Sequence, residues 1–289
     1  MERGTALTAL VTPFDKNGAL ALEILPELIA FQREGGIDGL VICGTNGEGP
    51  SMCVYERKRL LEAVIRLKGS LRIFAGTGAA NLPDALDLTR HAAEAGADAA
   101  LILPPFYFKN VSAPGVAAFY RPIIEAAQLP VLLYSIPQQS AIPITSEILN
   151  LLAEQPRLAG VKDSQADAAG TAALVRSHPK LDIFAGADEI LSQSRKFGAA
   201  GNISGTANGF PELVAAVAHA SSDSEREEAQ EKLNLAKTIV LQYPLIAGNK
   251  SVLANRGVPR MWVRPPLIDL TESQEREMIG RLQAEKLLS

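Results

Sequence analysis

Eight short apolar runs recur along the chain, each too brief for a helix and each followed by an amphipathic stretch. They are Ala6–Val11, Gly39–Cys43, Arg72–Ala75, Ala99–Leu103, Val131–Ser135, Ala159–Lys162, Asp182–Ala185 and Gly201–Ser204. Between them, Leu61, Val64, Ile65 and Lys68 share the spacing of one helix face, and so do Val116, Phe119, Tyr120 and Ile123. The punctuation agrees. Asn81 can cap a helix that carries Pro83 in its first turn and ends at Gly96, while Ser112 and Thr145 can cap two others. Strand–helix alternation of this kind predicts an α/β fold with a parallel sheet. Eight repeats of it favour a closed (β/α)8 TIM barrel over an open doubly wound sheet. No G-x-G-x-x-G opens a helix: Gly76-Thr77-Gly78 has only the first two glycines and reads as a tight strand-to-helix turn.

A faint internal repeat supports the same plan. Glu34-Gly35-Gly36-Ile37-Asp38-Gly39 resembles Glu94-Ala95-Gly96-Ala97-Asp98-Ala99, at an interval that suits two strand–helix units. After Phe210 the pattern becomes continuously helical, near 223–242 and again over 271–287, beyond the Arg264-Pro265-Pro266 break. That is more helix than an eighth unit needs. The expected organisation is a barrel over 1–215 and a C-terminal helical extension over 216–289. The extension packs on the barrel or on a neighbouring subunit, and the whole is one structural unit.

Composition narrows the partners. With 28 basic against 32 acidic residues the net charge is −4, and no Lys/Arg run stands out, so neither nucleic acid nor an anionic membrane is expected. No apolar stretch reaches membrane-spanning length, and Met1-Glu2-Arg3-Gly4 lacks the start of a signal peptide. Cys43 and Cys53 form no metal-ligand spacing, which makes a reduced, cytoplasmic setting the default. His91, His178 and His219 are scattered on helix-like segments and read as surface or packing residues, so no metal is expected.

In a barrel of this type, function sits where strands end and loops begin. Lys162 closes the sixth apolar run, Leu158-Ala159-Gly160-Val161-Lys162-Asp163, which points its amine into the barrel mouth. A desolvated lysine there can lose its proton and attack a ketone to form a Schiff base; alternatively, Lys162 is a surface residue just past a strand end. Tyr134 ends the fifth run and is either an ordinary core aromatic or a phenol beside the Lys162 amine, able to relay protons. The second run ends in Gly44-Thr45-Asn46-Gly47-Glu48-Gly49-Pro50. Its backbone N–H groups and short polar side chains suit a carboxylate or phosphate, although a glycine turn with a capping Thr has the same appearance. After the fourth run, Pro104-Pro105-Phe106-Tyr107-Phe108 gathers aromatics in a loop, the mark of an interface or a pocket wall.

Five ordered motifs carry a resemblance. Gly44-Thr45-Asn46-Gly47-Glu48, Pro105-Phe106-Tyr107, Tyr134-Ser135-Ile136-Pro137, Gly160-Val161-Lys162-Asp163 and Gly201-Asn202-Ile203-Ser204 stand in the order and near the spacing of the dihydrodipicolinate synthase / N-acetylneuraminate lyase family. The resemblance spans Thr8 to about Pro266. It implies a (β/α)8 barrel with added C-terminal helices and a cofactor-free class I lyase that forms its imine with pyruvate or another 2-oxo acid. By motif, Lys162 would form the imine and Tyr134 would donate and accept protons, while Thr45 and Asn46 would hold the 2-oxo acid carboxylate. Ile203 would contact bound pyruvate through its backbone. Tyr107 matches a tyrosine that reaches across a dimer interface to complete a proton relay, which makes a homo-oligomer, dimer or tetramer, the expected state.

Two departures bear on the substrate. Thr45-Asn46 replaces the double-threonine turn of the synthases and resembles 4-hydroxy-2-oxoglutarate aldolases. Gln139 stands where the lysine-pathway synthases have an arginine for the semialdehyde carboxylate, and a neutral amide does not replace that charge-assisted pair. Gly49-Pro50-Ser51 and Arg264-Pro265-Pro266-Leu267 also resemble 2-keto-3-deoxy sugar acid aldolases. The expected reaction is therefore cleavage or formation of a 2-keto-3-deoxy sugar acid or a 4-hydroxy-2-oxo acid, with Gln139 and Ser140 either bonding a hydroxylated substrate or simply facing solvent. The alternatives are condensation of pyruvate with aspartate semialdehyde, dehydration of a deoxy-keto sugar acid, and a catalytically lapsed barrel that only binds a 2-oxo acid.

Overall fold

A computed structural model describes residues 4–288; most of the start read for a signal peptide, Met1 to Arg3, lies outside them. Among the described residues, eight strands pair in chain order into a closed parallel barrel. They are β1 (Thr5–Ala9), β2 (Gly39–Ile42), β3 (Arg72–Gly76), β4 (Ala99–Ile102), β5 (Val131–Ser135), β6 (Leu158–Asp163), β7 (Asp182–Ala185) and β8 (Gly201–Ser204). All eight expected runs are strands, with ends moved by a residue or two. The strand residues are almost all buried, because helices cover the outside and side chains fill the inside, and that explains continuous apolar runs instead of alternation.

Two cores result. Leu7, Val41, Phe74, Leu101, Leu132, Phe184 and Ile203 fill the barrel interior, with Phe74 and Phe184 edge to face at 6.0 Å between ring centroids. A larger outer core lies between sheet and helices and includes Leu28, Leu40, Val64, Ile73, Ile124 and Val214. The helix ends follow the sequence. Asn81 accepts from Asp84 N–H, Ser112 from Gly115 N–H and Thr145 from Ile148 N–H, and Gly96 closes the helix Leu82–Ala95 in the left-handed conformation. Gly76 and Gly78 press against the Cys43 carbonyl and the Leu103 backbone, so Gly76-Thr77-Gly78 is a packing turn.

The repeat has a physical purpose. Gly36 and Gly96 take φ of 83° and 89°, turning the chain from helix to strand. The next aspartates then do the same work. Asp38 accepts from Ala6 N–H at 2.7 Å and Asp98 from Ile73 N–H at 2.8 Å, each tying the entry of its own strand to the start of the preceding one. Both ties lie at the amino-terminal face of the barrel, the face whose residues serve stability.

The helix Pro211–His219 packs on β1 and β8 and runs through position 215, so the eighth barrel helix continues past the division expected there. Three further helices follow, Asp223–Val240, Leu245–Asn255 and Glu272–Ala284. The middle one is absent from the sequence reading because Ala247 to Leu253 are buried without a break, which erases any amphipathic period. Phe210, Ile239, Val252, Met278 and Leu282 form a separate core for this extension. No helix among the described residues is long and apolar enough to cross a membrane.

Removing the Asp98 carboxylate leaves the Ile73 N–H without its acceptor. Asp98→Ala should lower the unfolding free energy by about 1–2 kcal/mol in urea titrations, and Glu94→Ala, an exposed position of the same repeat, should leave the midpoint in place. Equal midpoints for both variants would remove the repeat's structural meaning.

Candidate active site

Parallel pairing fixes the central geometry. In the β5–β6 register Tyr134 stands opposite Lys162, and in the β6–β7 register Lys162 stands opposite Phe184. Side chains alternate along a strand, so Lys162 and Tyr134 enter the barrel while Asp163 turns outward to accept from Thr171 Oγ1 at 2.7 Å. Lys162 Nζ donates to the Tyr134 hydroxyl at 3.2 Å and lies 4.2 Å from the centroid of its ring. Each residue is 4% exposed. Burial alone would raise the Tyr134 phenol above the ordinary tyrosine value. The Lys162 charge, with the Thr45 and Ser164 hydroxyls beside the phenol, outweighs burial and leaves it lowered. Lys162 is thus an interior strand-end residue and not a surface lysine, and the Tyr134 phenol is its hydrogen-bond partner.

Above this pair opens a cavity of about 620 Å³, the size of a small-molecule site. Thr45, Asn46, Ile203 and Gln139 all line it together with Lys162 and Tyr134, so the structure gathers six of the seven sequence-derived residues. The turn after β2 owes its shape to close backbone approach: a Cβ at Gly47 would stand 2.8 Å from the Leu10 carbonyl, which leaves glycine as the fitting residue. Asn46 Oδ1 is buried with no hydrogen-bond partner. Gln139 is exposed at the rim, on the short helix Pro137–Ser140.

Tyr107, the seventh residue, is outside the cavity lining: it is 75% exposed, with its ring edge to face against Phe108, and the contact expected of it belongs to an interface with a second copy. One expectation changes. Ser140 faces away from any ligand, because its hydroxyl donates to the Ile136 and Ile142 carbonyls and accepts from Ile142 N–H. A tight local turn captures it, as short hydroxyls often are.

Several lining residues escaped the sequence reading. Gly186, directly after β7, has no room for a side chain, since a Cβ there would meet Ser164 Oγ and Lys162 Cε at 2.0 and 2.8 Å. Asp188 accepts from Thr206 Oγ1 at 2.6 Å with one carboxylate oxygen, and the other oxygen is buried and unpaired. Glu189 pairs with Lys237 of the first extension helix at 2.6 Å. The available signal was position: Gly186-Ala187-Asp188-Glu189 follows a strand end as Thr45 does. The far wall comes from the extension, with Leu241, Leu245, Leu267 and Ile268.

A buried amine paired with a phenol, at the carboxyl ends of neighbouring strands of a (β/α)8 barrel, defines a lysine-centred barrel enzyme. The sequence model of the dihydrodipicolinate synthetase family matches residues 3–285. The chain belongs to this family, and with it to the class I lyases. It is 36% identical over 275 residues to an uncharacterized DapA-like lyase of Chloroflexus aurantiacus, covering 93% of this chain and 92% of that protein. It is 33% identical over 282 residues to a 4-hydroxy-tetrahydrodipicolinate synthase of Geotalea uraniireducens, covering 95% and 96%. Among solved structures, the chloride-inhibited dihydrodipicolinate synthase of Acinetobacter baumannii complexed with pyruvate superposes with a TM-score of 0.92 at 29% identity, over 98% of this chain and 99% of that one.

The pairing makes a spectroscopic claim. Tyr134 should ionise at lower pH than an ordinary tyrosine, read as the ultraviolet phenolate signal missing from Tyr134→Phe. Lys162→Met removes the charge and leaves burial, so the same signal should move to higher pH. A Tyr134 titration indifferent to Lys162 contradicts the coupling.

Proposed function

We propose that this lyase forms an imine between Lys162 and pyruvate or another 2-oxo acid. It then makes or breaks the C3–C4 bond of a 4-hydroxy-2-oxo acid, with 2-keto-3-deoxy sugar acids the favoured class. The observation that carries the reading is the 3.2 Å hydrogen bond from Lys162 Nζ to Tyr134 OH at the floor of the cavity. The free amine attacks C2, and the carbinolamine loses water to give an iminium. In the cleavage direction the C4 hydroxyl gives up its proton, the C3–C4 electrons move into the iminium, an aldehyde leaves and the enamine takes a proton at C3. Water then releases pyruvate and restores the amine. Tyr134 is the group within reach to take and return these protons, worth roughly 10²–10⁴-fold for a positioned acid–base residue. Thr45 and Asn46 hold the carboxylate, and the Ile203 backbone contacts pyruvate. The A. baumannii synthase, solved with pyruvate, supports the first substrate.

The rest of the cavity supports a hydroxylated partner. Its lysines are Lys162 and Lys237, and Lys237 is already matched by Glu189. Gln139 offers an uncharged amide at the rim. Asp188 and Thr206 add a carboxylate and a hydroxyl to the lining, partners suited to a hydroxylated substrate. Condensation with aspartate semialdehyde is the second reading, supported by relatives named as synthases. We further place the enzyme in the cytoplasm, in keeping with two free cysteines, as a homo-oligomer in which the exposed Tyr107 and Phe108 meet a second copy.

Pyruvate with borohydride should add one reduced adduct to the intact mass, located at Lys162 by peptide mapping and lost in Lys162→Ala. An adduct that survives the substitution assigns the imine to a different amine. On one preparation, kcat/KM for a panel of 2-keto-3-deoxy acids should exceed that for pyruvate plus aspartate semialdehyde. Gln139→Arg should raise semialdehyde use by about tenfold or more, the scale of a charge-assisted hydrogen bond. Wild-type preference for the semialdehyde would make the chain a synthase.

A further inference from the structure

A second lysine, outside the cavity, is buried more deeply than Lys162. Lys250, on the helix Leu245–Asn255, is 1% exposed. Its Nζ donates to Glu48 Oε1 at 2.5 Å and to the Trp262 carbonyl at 2.6 Å, and it lies 4.9 Å from the centroid of the Phe14 ring. Glu48 is 2% exposed and is one of the few non-glycine residues with positive φ, at 53°. Its other oxygen accepts from Arg264 N–H at 2.9 Å. The Arg264 guanidinium then crosses to Glu56 Oε2 and the Ser51 carbonyl, each at 2.9 Å. Three points of the C-terminal extension thus converge on the segment that begins Gly44-Thr45-Asn46.

Such a pair is an expensive way to hold two segments together. Burial pushes the Lys250 ammonium below its ordinary value even with Glu48 beside it. Buried ion pairs are often no better than apolar residues of the same shape, so stability alone does not account for this one. Its placement does. The turn has glycines at 44, 47 and 49, and its left-handed residue persists only where the surroundings over-determine it. Glu48 is that residue, and its carboxylate is held by the extension and by nothing from its own turn. Thr45, three residues earlier, abuts the Tyr134 phenol.

We infer that Glu48 and Lys250 are a positioning pair, through which the C-terminal helices set the Thr45–Asn46 turn to receive the carboxylate of the 2-oxo acid. The inference rests on the proposed imine chemistry and on that turn as the carboxylate site. It predicts a defect specific to the carboxylate and not to the amine.

The test compares pyruvate with pyruvamide, in which a neutral amide replaces the carboxylate. Both ketones condense with the lysine amine with loss of water, and cyanoborohydride delivers hydride to C2 of the imine, leaving a secondary amine read by intact mass. Wild type should reach half-labelling at much lower pyruvate than pyruvamide. In Lys250→Met the pyruvate value should rise about tenfold or more, the scale of a lost charge-assisted contact, and the pyruvamide value should stay within about threefold. Lys250→Met leaves an unpaired carboxylate and is at risk of unfolding, so Glu48→Gln/Lys250→Met, which removes both buried charges, decides the matter. A folded double variant that has lost the preference for pyruvate supports the pair. One that keeps it shows the pair to be structural only. A wild type that labels with neither ketone overturns the imine reading and this inference with it.

Discussion

Lys162 and Tyr134 meet because β5 and β6 pair in one parallel register, and the chemistry available to this molecule depends on that alignment. A slip of one residue would turn Lys162 outward among the helices and bring Asp163 into the barrel. The register is irregular between Val131 and Leu132, where β5 shifts against β6, and it runs cleanly from Leu132 onward. The irregular part therefore lies away from the site. Closure of the sheet fixes the rest, since each strand is held on both edges and none can slide alone.

The two buried lysines differ in the chemistry of their partners. Lys250 faces a carboxylate and a carbonyl that only accept, so neither partner can give its amine a proton. Lys162 faces a phenol, which can hold or release a proton itself. The Lys162 charge beside it leaves the Tyr134 phenol lowered despite burial. The neighbourhood of Gly186 adds a spatial condition: a side chain there would collide with Lys162 Cε and Ser164 Oγ.

Much of this was legible in the sequence, and the reasons are physical. Strands announce themselves by short apolar runs, and helices by caps whose chemistry is local, as at Asn81, Ser112 and Thr145. Lys162 and Tyr134 were legible because an amine or phenol at the end of an apolar run stands at the carboxyl rim of the barrel, where its side chain can enter the mouth. What stayed hidden lacks a local signature. The helix Leu245–Asn255 is buried all round. Lys250 and Glu48 lie 202 residues apart, and nothing near either one marks it as paired. Ser140 looked available because a hydroxyl's choice of backbone over ligand is settled by turn geometry alone. Tyr107 has its companion aromatic beside it but no site within reach, since the one implied for it lies on a second chain.

The C-terminal extension is therefore more than a cover. Strand ends alone supply an amine, a phenol and a glycine-rich turn, which together are an open bowl. The extension adds the Leu241, Leu245 and Leu267 wall, which sets an apolar surface across the cavity from the Lys162 amine. It also anchors the turn from behind through Lys250 and the Arg264 backbone. The same segment thus shapes the far side of the cavity and braces its near side. On the proposed imine chemistry, substitutions that move the helix Leu245–Asn255 change the reach available to the aldehyde and the seat of the carboxylate together, so substrate length and 2-oxo acid affinity depend on one element.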